Sequence, residues 1–270
     1  MLRELLAWLA TPCPGPARRL GLAAESVAIA FRHRRCARAW TPHLERCQAL
    51  VLASARACPG RDRAVVLGSG PLLDVPLAEL SGLFGRVVLA DAVHPRPARR
   101  AAAALPNVEL LEFDATGLHR DLAGLCRAGR GPLPSPGPPA LPGPRPDFLV
   151  SLNLLSQLPI RPLAALRRSL ADPDEAGLRD LARGLVAAHL AWLPGAAGRV
   201  CLVTDLAREV RGEAGVLERT DLLHGAVLPP GEDWEWLLAP RPEARPDADV
   251  VHLVRGIADL AGALREVTAG

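Results

Sequence analysis

At 270 residues, 49% of them hydrophobic, the chain is long enough for one large domain, or one domain with a small appendage, and it can bury a sizeable core. All 32 basic side chains are arginine, a composition typical of GC-rich coding, and with a formal charge of only +3 they are dispersed rather than gathered into a patch, so nucleic-acid binding is not indicated. No stretch reaches the roughly 18 apolar residues of a membrane span. The six cysteines form no Cys-x-x-Cys pair and nothing at the start reads as a secretory leader, so the expected setting is the reducing cytoplasm, with no membrane partner.

Residues 1–60 are expected to form a helical cap laid over the rest. Thr41-Pro42 has the character of a helix start, a hydroxyl cap followed by proline. Leu44, Cys47, Val51, Ala55 and Cys58 then recur at steps of three and four, which gives one buried face. His43 falls in the first turn of that helix. A helix N-terminus lowers a histidine's proton affinity, so His43 is a candidate base or hydrogen-bond partner for a substrate. His33-x-x-Cys36 and His43-x-x-x-Cys47 have spacings a metal could use. Because Cys47 and Cys58 belong to the apolar stripe, burial is the better explanation and no metal site is predicted.

The strongest local signal follows. Ala64-Val65-Val66-Leu67 suits a strand buried on both faces, and it stops at Gly68-Ser69-Gly70. Glycine permits positive φ there and close approach of a ligand to the backbone. A second buried strand, 86–91, ends in Asp91, placed to take the hydroxyls of a ribose. Asp74 is expected to cap a helix reaching about Leu83. A helix from His94 through the alanines of 101–104 leads to strand 108–113, which ends at Asp114. His94-Pro95 and His189 read as structural histidines.

Residues 130–146 are dominated by proline and glycine and predict an exposed, mobile loop of polyproline character. Strand 147–152 leads to Asn153. Asp172-Pro173-Asp174-Glu175 predicts a capped helix with a stripe at Leu178, Leu181, Leu185, Ala188 and Trp192, stopped by Pro194-Gly195. Strand 199–204 ends in Asp205, a candidate for orienting a substrate. Residues 209–231 read as an irregular connector. Strands at 234–238 and 250–254 and a helix over 256–267 close the chain.

Strands alternating with helices imply an α/β fold, a doubly wound, mostly parallel seven-stranded Rossmann-like sheet over residues 61–270 with ligands at the strand carboxyl ends. The order of features resembles the class I methyltransferases that use S-adenosylmethionine. The resemblance implies that cofactor, with Gly68, Ser69 and Gly70 against its methionine part, Asp91 on the ribose and Asp114 at the adenine amino group. It also implies that Asn153 faces the sulfonium and the acceptor, and direct in-line methyl transfer to a small or medium-sized molecule.

Val66 and Leu72 stand where the family carries an acid and a glycine, which keeps a non-catalytic binding module as an alternative. Gly68-Ser69-Gly70-Pro71-Leu72 is also similar to the loop of nicotianamine synthases, which transfer an aminocarboxypropyl group. A nicotinamide-dependent oxidoreductase is the third alternative; Leu73 in place of a third glycine and the absence of any Tyr-x-x-x-Lys pair count against it. The acceptor and the oligomeric state are open at this point.

Overall fold

The computed structural model describes residues 2–269. The apolar runs become the middle of one sheet: β1 (Arg63–Leu67), β2 (Arg86–Asp91), β3 (Val108–Glu112), β4 (Phe148–Leu152) and β5 (Arg199–Gly212), followed by β6 (Gly215–Asp221), β7 (Glu232–Ala239) and β8 (Asp249–Ile257). The path runs β3-β2-β1-β4-β5-β8-β7, with β6 paired to β5 beside it. The first five strands are parallel, while β8 runs antiparallel between β5 and β7. In-register triples such as Leu89, Val66 and Val150 cross the centre of the sheet.

Both faces are covered, which is why these strands read as continuous apolar runs. Val65, Leu67, Val88, Ala90, Leu149 and Leu202 face one layer, built from α6 (His119–Ala128), α7 (Ile160–Ser169) and α8 (Glu175–Ala196). Ala64, Val66, Leu89, Phe148, Val150 and Val203 face the other, built mainly from α3 (Leu22–Ala57) and α4 (Leu77–Leu83). Each fully buried leucine in these layers contributes about 1.5–3 kcal/mol through removal from water.

The remaining helices are α1 (Leu2–Leu9), α2 (Gly15–Arg19), α5 (Arg96–Ala103) and α9 (Leu260–Ala269). No helix among the described residues is long and apolar enough to cross a membrane.

Several local expectations give way to longer-range packing. Thr41-Pro42 does not start a helix. α3 runs straight through it, with non-helical angles at Cys36 (φ −108°, ψ 19°). The Thr41 hydroxyl donates back to the Ala37 carbonyl at 3.0 Å instead of capping forward. Pro42 withholds the N–H that the preceding turn needs, yet the helix does not end there, and its non-helical residue lies six positions upstream at Cys36.

Asp74 does not cap a helix either: α4 begins three residues later, behind Pro76. On α8 the cap is Asp174, whose side chain accepts from the Ala176 N–H at 3.0 Å. Glu175 pairs with Arg167 rather than closing a capping box, and the helix continues through Pro194-Gly195 to Ala196.

The sheet gains an eighth strand because β5 does not stop at residue 204. It continues to Gly212 and turns back as β6, so that 209–221 form a hairpin rather than a connector. Buried Glu209 fastens the hairpin by accepting from Arg211 and Arg219. The proline-rich segment has no regular structure, as its composition requires, but it does not stand free. Pro139 and Pro146 are buried, Leu133 and Leu141 pack on the core, and the Arg63 guanidinium donates to the carbonyls of Pro142 and Pro144.

Candidate active site

A cavity of about 370 Å³ opens along the carboxyl ends of β1, β2, β4 and β5, beneath the kinked α3 and beside β7 and β8. Its volume is in the range of small-molecule sites. One end is made by the turns after β1 and β2. Gly68 and Gly70 have φ of 73° and 44°, in the left-handed region that glycine enters without penalty. A Cβ at Gly68 would lie 2.7 Å from the Leu152 carbonyl oxygen, so the close passage of this turn past β4 requires glycine.

Leu72, where the resemblance puts a glycine, also adopts positive φ (62°). The backbone keeps the glycine-like conformation despite the side chain, which packs against the core together with Leu73. Neither leucine closes the crevice.

Asp91 sits against this turn. One carboxylate oxygen accepts from the Gly70 N–H at 2.8 Å and the other from the Val93 N–H at 3.0 Å. Burial raises its proton affinity, and the two N–H bonds offset part of that rise. Asp91 and Gly70 both line the cavity. Ser69 is buried and its hydroxyl has no partner among the described residues.

Asp114 is not brought to the cavity. Its carboxylate accepts from the Thr116 N–H and hydroxyl and from the His119 N–H, at 2.6–2.9 Å, which ties the entry to α6. Its neighbours Phe113, Ala115, Thr116 and His119 line the wall instead. His94 is buried and bonded to the Leu111 carbonyl, a structural role. His189 is likewise internal, near Ser151, and burial lowers it to about 4.

The other end is a polar cluster under α3. Asn153 has φ of 47°. Its backbone N–H donates to Val203 and its side-chain Nδ2 donates to Asp74 Oδ2 at 2.7 Å. Its Oδ1 is buried and unpartnered. Burial drives Asp74 up to about 6.

His43 is 1% exposed and lies flat on Trp236, with ring centroids 4.0 Å apart. Burial lowers it to about 4, so desolvation, not a helix end, keeps it neutral. The Trp234 indole N–H donates to His43 Nδ1 at 3.1 Å. That bond fixes the tautomer: the proton is on Nε2, which faces the Asn153 side-chain amide at 3.3 Å and Cys47 Sγ at 3.5 Å. With its only lone pair engaged, His43 is a donor, not a free base.

His43, Cys47 and Asp74 place ligand-type atoms within 4.8 Å of one another, whereas His33 and Cys36 do not join them. A metal on Nε2 would move the imidazole proton to Nδ1, directly against the Trp234 N–H. Burial also raises the Cys47 thiol far from thiolate formation. The donor set therefore fits a metal poorly.

Residues that the sequence did not mark complete this end. His252 on β8 is the register partner of Arg208 on β5 and of Trp236 on β7. His252 Nδ1 stands 3.2 Å from Oδ1 of the buried Asp205, while Asp205 Oδ2 accepts from the Ser156 hydroxyl at 3.1 Å. Asp205, Arg208, Trp236 and His252 all line the cavity with Asn153. Asp205 had a sequence signal, the end of a strand at the ligand-binding edge. His252 had none, because its position depends on which strand lies beside β5.

No family model matches the sequence, and no curated protein is significantly similar to it. Among solved structures the chain is similar to N-methyltransferase NodS from Bradyrhizobium japonicum in complex with S-adenosyl-L-homocysteine. That match has 11% identity, 80% of this chain and 86% of that chain covered, and TM-score 0.34. A DhpI–SAM–HEP complex matches at 17% identity over 91% of this chain and 86% of that one, TM-score 0.38. The 1,6-didemethyltoxoflavin-N1-methyltransferase of Burkholderia thailandensis, with bound 1,6-didemethyltoxoflavin and S-adenosylhomocysteine, matches at 16% identity over 90% and 91%, TM-score 0.32. At these identities and scores none of the three bears on what this chain binds or does.

Proposed function

We propose that the cavity binds S-adenosylmethionine and that the protein transfers its methyl group to a small acceptor. The observation that carries this reading is the junction of Asp91 with the Gly68–Gly70 turn. A buried carboxylate at the end of β2 is held by the Gly70 N–H, and both line one cavity at the strand carboxyl ends. A ribose diol donating to Asp91 fits this arrangement, and the side-chain-free turn admits a ligand against the backbone. Phe113, Ala92 and Val93 offer an apolar slot to the base of the nucleoside. The unpartnered Oδ1 of Asn153 is available to a ligand N–H donor.

The cofactor supplies an electrophilic methyl on a sulfonium, which leaves as a neutral thioether. The chain's own contribution is alignment: it fixes an acceptor in line and excludes water from the contact. Trp236, stacked on His43 and edge-on to His252, gives a planar apolar wall for that acceptor.

Calorimetry with S-adenosylhomocysteine and NADH tests the reading. S-adenosylhomocysteine binds, NADH does not, and Asp91→Asn weakens binding by about 10-fold or more through the loss of charged hydrogen bonds. Binding of NADH alone, or unchanged affinity in the variant, rejects it. Recovery of methylthioadenosine in place of S-adenosylhomocysteine after turnover identifies aminocarboxypropyl transfer instead.

A further inference from the structure

Resting on the reading above, we infer that the acceptor is a hydroxyl compound, phenolic or alcoholic, and that His252 is the catalytic base that deprotonates it while Asp205 positions His252. An amine that is neutral, or a thiol near its ionisation range, needs no such pair. A hydroxyl does, because its oxygen is a poor nucleophile until its proton leaves.

The cavity holds the parts. Asp205 is 2% exposed; one oxygen takes the Ser156 hydroxyl, which orients the carboxylate, and the other stands 3.2 Å from His252 Nδ1. The two atoms stand at ion-pair distance without hydrogen-bond alignment, and a small turn of the ring would let Nδ1 donate to Asp205 and leave the lone pair on Nε2, the arrangement of a base steadied by an acid. Nε2 of His252 has no partner among the described residues. The competing histidine is disqualified by chemistry, since the Nδ1 lone pair of His43 is held by Trp234.

The charged and titratable groups facing His252 are Asp205 and Arg208 from β5 and, across Trp236, His43 from α3. Asp205 and Arg208 thus set a carboxylate and a guanidinium on β5 beside the ring. In the step itself His252 Nε2 takes the hydroxyl proton as the oxygen–methyl bond forms and the sulfur–methyl bond breaks. The sulfur keeps the bonding pair, and the proton passes later from His252 to solvent.

The experiment uses the full chain and 4-nitrophenol, whose ionisation is visible in its absorbance. Calorimetry first compares S-adenosylhomocysteine binding to wild type, His252→Gln and Asp205→Asn. Equal affinities are expected. If wild type does not bind, the cofactor reading fails, whatever His252 does. With S-adenosylhomocysteine in place and the pH held below the phenol's own ionisation, 4-nitrophenol bound to wild type shows the phenolate spectrum. Bound to His252→Gln it stays a phenol, and in Asp205→Asn the phenolate appears only at higher pH.

Turnover with S-adenosylmethionine on a less acidic phenol falls about 10²–10⁴-fold in His252→Gln. The rate on 4-nitrophenol, measured above its ionisation, is largely kept. Identical spectra in wild type and His252→Gln, failure of 4-nitrophenol to bind a protein that holds S-adenosylhomocysteine, or methylation of amines with no use of phenols overturns the inference.

Discussion

Replacing His43 with glutamine tests the electrostatics at the centre of the polar cluster. The ring is 1% exposed, and burial lowers its proton affinity from the ordinary 6.5 to about 4. A tenfold change in proton affinity corresponds to about 1.4 kcal/mol, so this difference amounts to about 3 kcal/mol.

The sign follows from which state binds the proton. At pH 7 His43 is neutral in folded and unfolded chains and contributes no pH dependence. As pH falls below 6.5 the unfolded chain takes up a proton that the folded chain refuses, so stability drops until the folded ring itself protonates near 4. His189 acts in the same direction and Asp74 in the opposite one over the same window. Both are present in wild type and variant, and their effects cancel in the difference.

Glutamine retains an acceptor for the Trp234 N–H but loses the stacked ring. The variant is therefore less stable at pH 7. Urea unfolding of both proteins from pH 7.5 to 4 reads the gap, which closes by about 3 kcal/mol across the window because only wild type carries the His43 slope. A gap that does not change with pH means that His43 is solvated or charged in the folded protein. In that case the tautomer argument, and with it the exclusion of His43 as base, is wrong.

Asp74→Asn probes the neighbouring carboxyl. Burial holds Asp74 at about 6 against an ordinary 3.8, so wild type loses about 3 kcal/mol of stability as pH rises through this interval. Asparagine still accepts from Asn153 Nδ2 and is not ionised; the variant is more stable than wild type at pH 8, by up to that amount, and the advantage vanishes near pH 4. Equal stability at pH 8 refutes a buried charge there. Gly68→Ala puts a Cβ 2.7 Å from the Leu152 oxygen at a φ of 73°. The backbone term alone costs about 1–2 kcal/mol, so the urea midpoint falls and S-adenosylhomocysteine binds more weakly, whereas an unchanged midpoint shows that the turn does not pass so close to β4.

The central strands were legible because burial on both faces leaves an unmistakable apolar run. Val65, Val88 and Leu149 needed no tertiary information to be assigned to a sheet. The Gly68–Asp91 end of the cavity was legible for a related reason. Strand, glycine turn and the acid ending the next strand lie within one crossover, so Gly70 and Asp91 meet through local geometry. Helix boundaries were not. Pro42 and Pro194 both carry the chemistry of a helix stop, and both lie inside helices: α3 keeps a buried face beyond Pro42 at His43, Cys47 and Val51, while α8 runs on only to Ala196. Packing of Trp40, Cys47 and Val51 against β4, β5 and β7 outweighs one missing hydrogen bond. Asp114 shows the converse limit: a strand-end acid is equally suited to a ligand and to the next helix, and here the Thr116 and His119 N–H groups take it.

The end of the cavity around Asp205 and His252 was illegible for a physical reason. Asp205 and Arg208 are three apart on β5, and on a regular strand they would point to opposite faces. The register against β8 shifts between Asp205 and Ala207, so that Asp205 pairs with Val254 but Arg208 with His252. This bulge returns both side chains to the cavity and sets His252 beside the Asp205 carboxylate. Nothing in Thr204-Asp205-Leu206-Ala207-Arg208 announces an extra residue. The bulge exists only once β8 lies antiparallel to a β5 that extends past its parallel neighbours to carry the β6 hairpin. Without the bulge, a regular ladder through this same sequence would turn either Asp205 or Arg208 away from the cavity. The juxtaposition of His252 and Asp205 is thus a property of strand register rather than of any motif.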